Sequence, residues 1–291
     1  MSATRRAYLA WVAVCLIWGT TYLAIRVALE TIPPFLMGAG RWIVAGTLII
    51  AILAVRGERL PPVRLWKSLA LLGVLLIGFG NGGVVWAERT VPSGLTAVLV
   101  AMSPFWMVGI EALRRDGDSL TVRRVTGLII GFTGIVILVW PELHVAGATG
   151  FITGVVASQI ACLGWAIGST YARRHGRDEN VLATAAFEML FGGLVMLGVG
   201  LARHEQAALT FTPRTAAALV YLTFVGAVAG FSAYAYALKH LPLATVSLYA
   251  YVNPVIAVVL GTLILSEPLN ARLGIAAGIV LAGMALVRHD S

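Results

Sequence analysis

Charge is what this chain has least of. Asp, Glu, Lys and Arg make up 12% of its 291 residues, about half the share usual in a soluble domain. Lysine occurs only at Lys67 and Lys239, and no G-x-x-x-x-G-K-[ST] is present. That excludes a phosphate-binding loop, and with it ATP-driven transport by this chain alone. There is no H-E-x-x-H and no His/Cys cluster at metal-ligand spacing, and the five histidines (144, 175, 204, 240, 289) fall at loops or ends. Little chemistry is left for an intramembrane enzyme, and no metal or cofactor is expected. The two cysteines, Cys15 and Cys162, both lie in apolar runs. They read as small buried side chains rather than a disulfide framework. A channel would want a ring of charges or carbonyls along a continuous pore, and none is visible.

What the chain has is apolar length. Apolar residues make up 59% and mean hydropathy is +0.90. Ten apolar stretches fill it: 8–25, 34–55, 68–87, 93–112, 125–140, 149–172, 181–202, 215–238, 243–265 and 272–287. A bilayer core about 30 Å thick takes roughly 20 apolar residues to cross as a helix. Backbone groups in lipid must be bonded internally. The expected fold is therefore all-α, ten transmembrane helices in one integral bundle whose surroundings are the lipid bilayer.

The net charge of +8 sits in short loops beside these stretches, so it orients a membrane protein and does not point to nucleic acid. With the N-terminus in the cytoplasm, fifteen of the 21 basic residues fall on inner segments and six on outer ones. Both termini are expected inside, and a cell inner membrane is the expected location. Arg5 and Arg6 precede an apolar run as in a signal peptide. The run continues into Trp18-Gly19-Thr20-Thr21-Tyr22 with no small-residue cleavage site, so it reads as a retained first helix.

The second half echoes the first at a spacing of about 147 to 151 residues. Cys15-Leu16-Ile17-Trp18 returns as Cys162-Leu163-Gly164-Trp165. Arg41-Trp42 falls in frame with Glu188-Met189, a charge of opposite sign. Arg89-Thr90-Val91-Pro92 aligns with Lys239-His240-Leu241-Pro242, and Ser103-Pro104 with Asn253-Pro254. Gly127/Gly131 and Gly274/Gly278 form matching GxxxG pairs, with a further pair at Gly226/Gly230; these are packing signals first, and a monomer or a homodimer is compatible with them. Two repeats, 1–145 and 146–291, each with five spans, must enter the membrane from opposite sides. Inverted repeats of this kind build alternating-access transporters with substrate near the midplane.

Trp18-Gly19-Thr20, the run Pro92-Ser93-Gly94-Leu95-Thr96-Ala97 leading to Pro104, and Leu265-Ser266-Glu267-Pro268-Leu269 before Gly278 resemble the ten-helix EamA-type members of the drug/metabolite transporter superfamily. The resemblance covers essentially the whole chain. Within the family the chain is most similar to the YddG-type exporters of aromatic amino acids. The resemblance implies proton- or gradient-dependent, or facilitated, export of small metabolites by a bundle whose fifth and tenth helices stand outside the cavity. The first copy departs from the second in carrying Asp116-Gly117-Asp118 where the other has Glu267.

Pro104 and Pro254 fall near the centres of the fourth and ninth stretches, and each frees the carbonyl four residues earlier, at Val100 and Ala250. They are candidate hinges, with Ser103 and Asn253 beside the freed backbone. Trp18, Trp106, Trp165, Tyr249 and Tyr251 lie deep in their stretches, and Tyr22 lies one turn after Trp18. Rings with scattered hydroxyls suit a flat, partly apolar substrate, although aromatic packing alone would look the same. Trp86, Tyr171 and Tyr236, near span ends, read as interfacial belt residues. Asn81 and Gln159 are uncharged polar groups inside spans, suited to substrate or to an interhelical hydrogen bond. Arg41 stands about 11 Å inside the outer end of its helix, seven residues at 1.5 Å each. It could clamp a carboxylate, or snorkel and pair with Glu30 or Glu88. Glu188, at matching depth from the inner side, is the candidate titrating carboxylate. The expected function is a secondary transporter exporting small metabolites, amino acids and especially aromatic ones, with a multidrug or organic cation exporter as the alternative.

Overall fold

The computed structural model describes residues 3–113, 121–140, 149–175, 180–241 and 243–288. Every regular element among them is helical: α1 Ala3–Ala28, α2 Pro34–Val55, α3 Val63–Ala87, α4 Ser93–Ala112, α5 Val122–Val139, α6 Thr149–His175, α7 Val181–Ala202, α8 Pro213–His240, α9 Tyr249–Leu265 and α10 Ala271–Arg288. Leu243–Val246 forms a short helical turn before α9. Seven of these helices are long and apolar enough to cross a membrane, while Tyr249–Leu265 and Ala271–Leu286 are apolar but shorter. Large apolar side chains face outward from the bundle, among them Leu16 at 54% exposure and Ile129 at 63%. In water such faces would be a liability; a hydrocarbon surround removes it. The Asp116-Gly117-Asp118 comparison and Pro242 lie outside the described residues.

Several helix starts follow from local chemistry. α7 begins where the Asn180 Oδ1 accepts from the N–H groups of Leu182 (3.0 Å) and Ala183 (3.3 Å). α8 begins with a capping box between Thr212 and Thr215, with Pro213 in its first turn. Thr121 caps α5 by accepting from the Arg124 N–H at 3.2 Å.

α3 and α8 share an irregularity. Nine residues of each, Gly73–Asn81 and Tyr221–Ala229, wind with π-type i→i+5 bonding, and they stand 148 positions apart. Single π-turns are the usual form, often at functional places, so two nine-residue stretches at matching positions are a marked feature. The neighbours of each helix also match across the halves. α1 packs on α8 and α9, and α6 packs on α3 and α4; α2 lies against α8, and α7 against α3. Further broad contacts join α2 to α7, α5 to α10 and α4 to α9.

The glycines decide how closely these pairs approach. A Cβ added at Gly283 would stand 2.6 Å from the Gly127 carbonyl and 2.7 Å from the Gly131 nitrogen, so α5 and α10 meet backbone to backbone. The expected partner pair on α10 is not the one used: Gly274 and Gly278 have nothing within 4 Å of such a Cβ. A GxxxG spacing marks one helix face, and here the contacting face is turned toward Gly283 instead.

Of the two prolines, Pro104 differs from expectation and Pro254 does not. Pro104 is not inside a continuous helix: α4 breaks at Ala101–Met102, and Pro104 sits in the first turn of the piece Ser103–Ala112, where its missing N–H matters least. Pro254 lies within α9, and the corresponding break falls earlier, at Ser247–Leu248.

Candidate functional site

An aromatic cluster joins α1, α2, α8 and α9. The Trp18 ring lies 5.2 Å from Phe231, 5.2 Å from Tyr234 and 5.0 Å from Tyr249, the last edge to face. Tyr234 and Tyr249 are 6.0 Å apart, and Trp42 meets Phe231 at 5.9 Å. The Trp18 Nε1 donates to the Gly226 carbonyl at 3.2 Å, inside the π-wound stretch of α8. Thr20 and the Tyr221 hydroxyl share a 2.5 Å hydrogen bond beside it. The buried Asn253 amide, with its nitrogen turned toward them, donates to the carbonyls of Tyr249 and Cys15, 3.1 Å each. These groups tie helices of both halves together around a ring surface that is only half-buried.

A second group lies between α4 and α6. The Trp106 Nε1 donates to the Gln159 Oε1 at 3.0 Å, which leaves the Gln159 Nε2 buried without a partner. Ser103 Oγ donates to the Val100 carbonyl at 2.7 Å, the acceptor that Pro104 frees. Trp165 stands against Gly80, where an added Cβ would meet its ring at 3.2 Å. Tyr22, on α1, interacts electrostatically with Cys162 on α6 and with Glu88 just after α3.

The other polar candidates have local employment. Asn81 Nδ2 donates to the Leu76 carbonyl at 3.2 Å, five residues back in the π-wound stretch of α3. Tyr251 packs on the core formed by α4, α6 and α10. Arg41 does not snorkel: it is 3% exposed, its guanidinium carbon stands 4.1 Å over the Trp42 ring, and its Nε has no hydrogen-bond acceptor. Nor does it take Glu30, which pairs with Arg214 at 3.1 Å. Glu188 is half-buried on α7.

Sequence reasoning missed the end of the bundle where α1 and α3 finish. A cavity of about 620 Å³ opens there between α1, the α3–α4 connection and the end of α9, lined by Arg26, Arg89 and Glu267 among others. The Glu267 carboxylate accepts from the N–H groups of Ser93 (2.7 Å) and Gly94 (3.1 Å) at the start of α4. Glu205 does the same for Phe35 and Leu36 at the start of α2, at 2.9 and 3.0 Å. Neither helix has a side-chain cap from its own flanking residue. An anion at a helix N-terminus satisfies orphan donors and complements the helix dipole. The one available signal was that both helices start after a proline with no Ser, Thr, Asp or Asn at the cap.

A bundle with two matching sets of helices, rings at their seam and a cavity between them is the setting in which the comparisons with known proteins bear. The model of the EamA-like transporter family matches residues 5–140 and again residues 152–288. The chain belongs to the EamA-like transporter family. Several of its relatives in sequence are named as transporters. The inner membrane transporter YedA of Escherichia coli (strain K12) is 35% identical over 278 residues, covering 94% of this chain and 88% of that one. The transporter YvbV of Bacillus subtilis (strain 168) is 25% identical, covering 94% and 86%. Protein PecM of Dickeya dadantii is 26% identical over 279 residues, covering 94% and 90%. A crystal structure matches with a TM-score of 0.67 at 21% identity over 97% of both chains, which is a likeness of fold. Among the described residues no group of three His, Cys, Asp or Glu could hold a metal ion. The EamA-family chain offers rings, amides and a few buried charges, groups that can line a small-molecule binding site.

Proposed function

We propose that this EamA-family protein is a secondary transporter of the inner membrane, working by alternating access between two inverted five-helix repeats, 1–145 and 146–291. The observation that carries the reading is the exchange of helix neighbours between the halves, together with π-wound stretches at matching places in α3 and α8. An odd number of spans in each repeat makes the copies antiparallel, and such pairs can swap postures around one shared site. The basic residues of the loops support cytoplasmic termini.

The substrate is a small amphipathic metabolite, and an amino acid with an aromatic side chain fits best, as in the YddG-type exporters. Trp18, Phe231, Tyr234 and Tyr249 offer ring faces and edges for a flat side chain. Asn253 and Gln159 supply neutral hydrogen-bonding groups nearby. Reconstitution into liposomes with counterflow over a panel of amino acids, tetraphenylphosphonium and an organic dye tests this. Counterflow of phenylalanine or tryptophan that falls in Trp165→Ala and Asn253→Ala, with helical content retained, supports the reading; no counterflow of any amino acid overturns it.

A multidrug or organic cation exporter remains as the second reading because no hydrogen bond or ion pair to the Glu188 carboxylate is found among the described residues. A cation needs such a counter-charge. Counterflow of tetraphenylphosphonium that Glu188→Gln abolishes, without counterflow of amino acids, would favour it.

A further inference from the structure

Glu88 directly follows α3 and is wholly buried, at 0% exposure, and among the described residues neither carboxylate oxygen is hydrogen-bonded. Such a group is costly as a carboxylate, because an ionised oxygen out of water needs donors or a paired cation. Arg41 is in the complementary difficulty. It is buried on α2 beside Trp42, and its Nε lacks an acceptor. The two charges are within Coulombic reach, and no ion pair joins them among the described residues. One arrangement leaves both groups short of the partner that the other could be.

Neighbouring residues place this pair close to the cavity at one end of the bundle. Arg26 donates to the backbone carbonyl of Glu88 and also lines that cavity, as does Arg89, the next residue in the chain. The charged or titratable groups that interact with Glu88 from neighbouring elements are Tyr22 and Arg26 on α1, Arg41 on α2 and Glu267 after α9. Two cations and one further carboxylate thus surround it. A neutral Glu88 leaves Arg26 on the carbonyl and Arg41 on the indole, as seen here.

We propose that Glu88 is a proton-binding site that couples transport to the proton gradient, filled from the outer cavity and emptied when Arg41 pairs with its carboxylate. The step is a simple acid dissociation. The carboxyl O–H breaks, the proton leaves to water on the inner side, and the electron pair stays on the carboxylate that Arg41 then holds. This deepens the transporter reading and rests on it.

The test uses the full chain in liposomes and needs no known substrate. Infrared difference spectra between acid and alkaline D2O should show the C=O band of a protonated carboxyl, absent in Glu88→Gln and displaced in Glu88→Asp. A band of undiminished intensity in Glu88→Gln overturns the proposal. Should Glu88→Gln fail to fold, Arg41→Lys carries the test: the band's titration midpoint must move, and an unmoved midpoint overturns it. A second arm separates this from the function itself. An imposed gradient of one pH unit can drive about tenfold accumulation of phenylalanine. Wild type should show that accumulation, and Glu88→Gln should lose it while keeping gradient-free counterflow. Equal accumulation in both overturns the proton site. Loss of counterflow in wild type overturns the amino acid reading, and the infrared bands still decide Glu88.

Discussion

Glu267 holds Ser93. The carboxylate that follows α9 accepts from the first free N–H of α4 at 2.7 Å and reaches the next, on Gly94, at 3.1 Å, so a residue of the second half of the chain completes a helix of the first. Gly261 leaves room for it, since an added Cβ there would stand 2.4 Å from its Oε2. Ser266 turns the chain into position with φ of 55°, a left-handed conformation uncommon for a residue with a side chain.

Glu267→Ala should lower stability by about 1–2 kcal/mol, the range for loss of a helix N-cap. Glu267→Gln should recover part of it, since the amide oxygen still accepts but carries no charge for the dipole. Thermal unfolding of the purified chain in detergent measures both. Equal melting temperatures for wild type and Glu267→Ala would show that the contact contributes nothing.

Backbone approach makes a sharper contrast between glycines of one helix. Gly283→Ala must push α10 away from Gly127 and Gly131, whereas Gly278→Ala meets nothing within 4 Å. Overpacking of this kind costs about 1–3 kcal/mol. Gly283→Ala should therefore melt several degrees lower and Gly278→Ala should match wild type. Size-exclusion profiles and melting curves of the two variants check it, and a reversed order would refute the α5–α10 contact.

How much of this could be read from the residues alone depends on how local the cause is. The 22-residue run after Asn180 needs only its own cap and its own apolarity, and Val181–Ala202 coincides with the expected 181–202. α3 extends five residues before the expected start at 68 because Val63–Leu65 winds as a 3₁₀ turn into Trp66, a form that apolarity does not report. Ring residues were legible as a class, yet Trp42 and Phe231 were not, since their inclusion follows from how α2 and α8 rotate against α1. Glu88 was legible only as one of two possible partners for Arg41. Only the placement of α1 and α2 around it makes it buried. Remote caps such as Glu205 and Glu267 are invisible for the same reason: their partners are brought near by the fold, not by the chain.

Trp18 should matter to flux more than to folding. Its indole bonds Gly226 at 3.2 Å and meets three rings within 5.2 Å, each ring pair contributing about 0.5–1.5 kcal/mol beyond buried area. Trp18→Phe keeps most of the ring surface and loses the hydrogen bond, while Trp18→Ala loses both. Counterflow of an aromatic amino acid should fall by roughly tenfold or more in Trp18→Ala, one factor of ten per 1.4 kcal/mol, and by less in Trp18→Phe. Unchanged flux in Trp18→Ala, with helical content intact, would remove the cluster from the binding site.

Whether the two halves are inserted in opposite senses can be tested at two residues that correspond in sequence. Thr90 follows α3 and His240 ends α8, and both are exposed. If the copies are antiparallel, these matching positions lie on opposite faces of the membrane. The native thiols, Cys15 and Cys162, are both buried, so a background with each replaced by serine carries little risk of stray labelling. In that background Thr90→Cys should react with a membrane-impermeant maleimide in intact cells, and His240→Cys should react only after the membrane is opened. Parallel copies would label both from one side, because equivalent residues of parallel repeats share a face. That outcome would remove the geometric basis for alternating access, since two halves inserted the same way cannot exchange postures across the bilayer by the in-plane symmetry that inverted repeats supply.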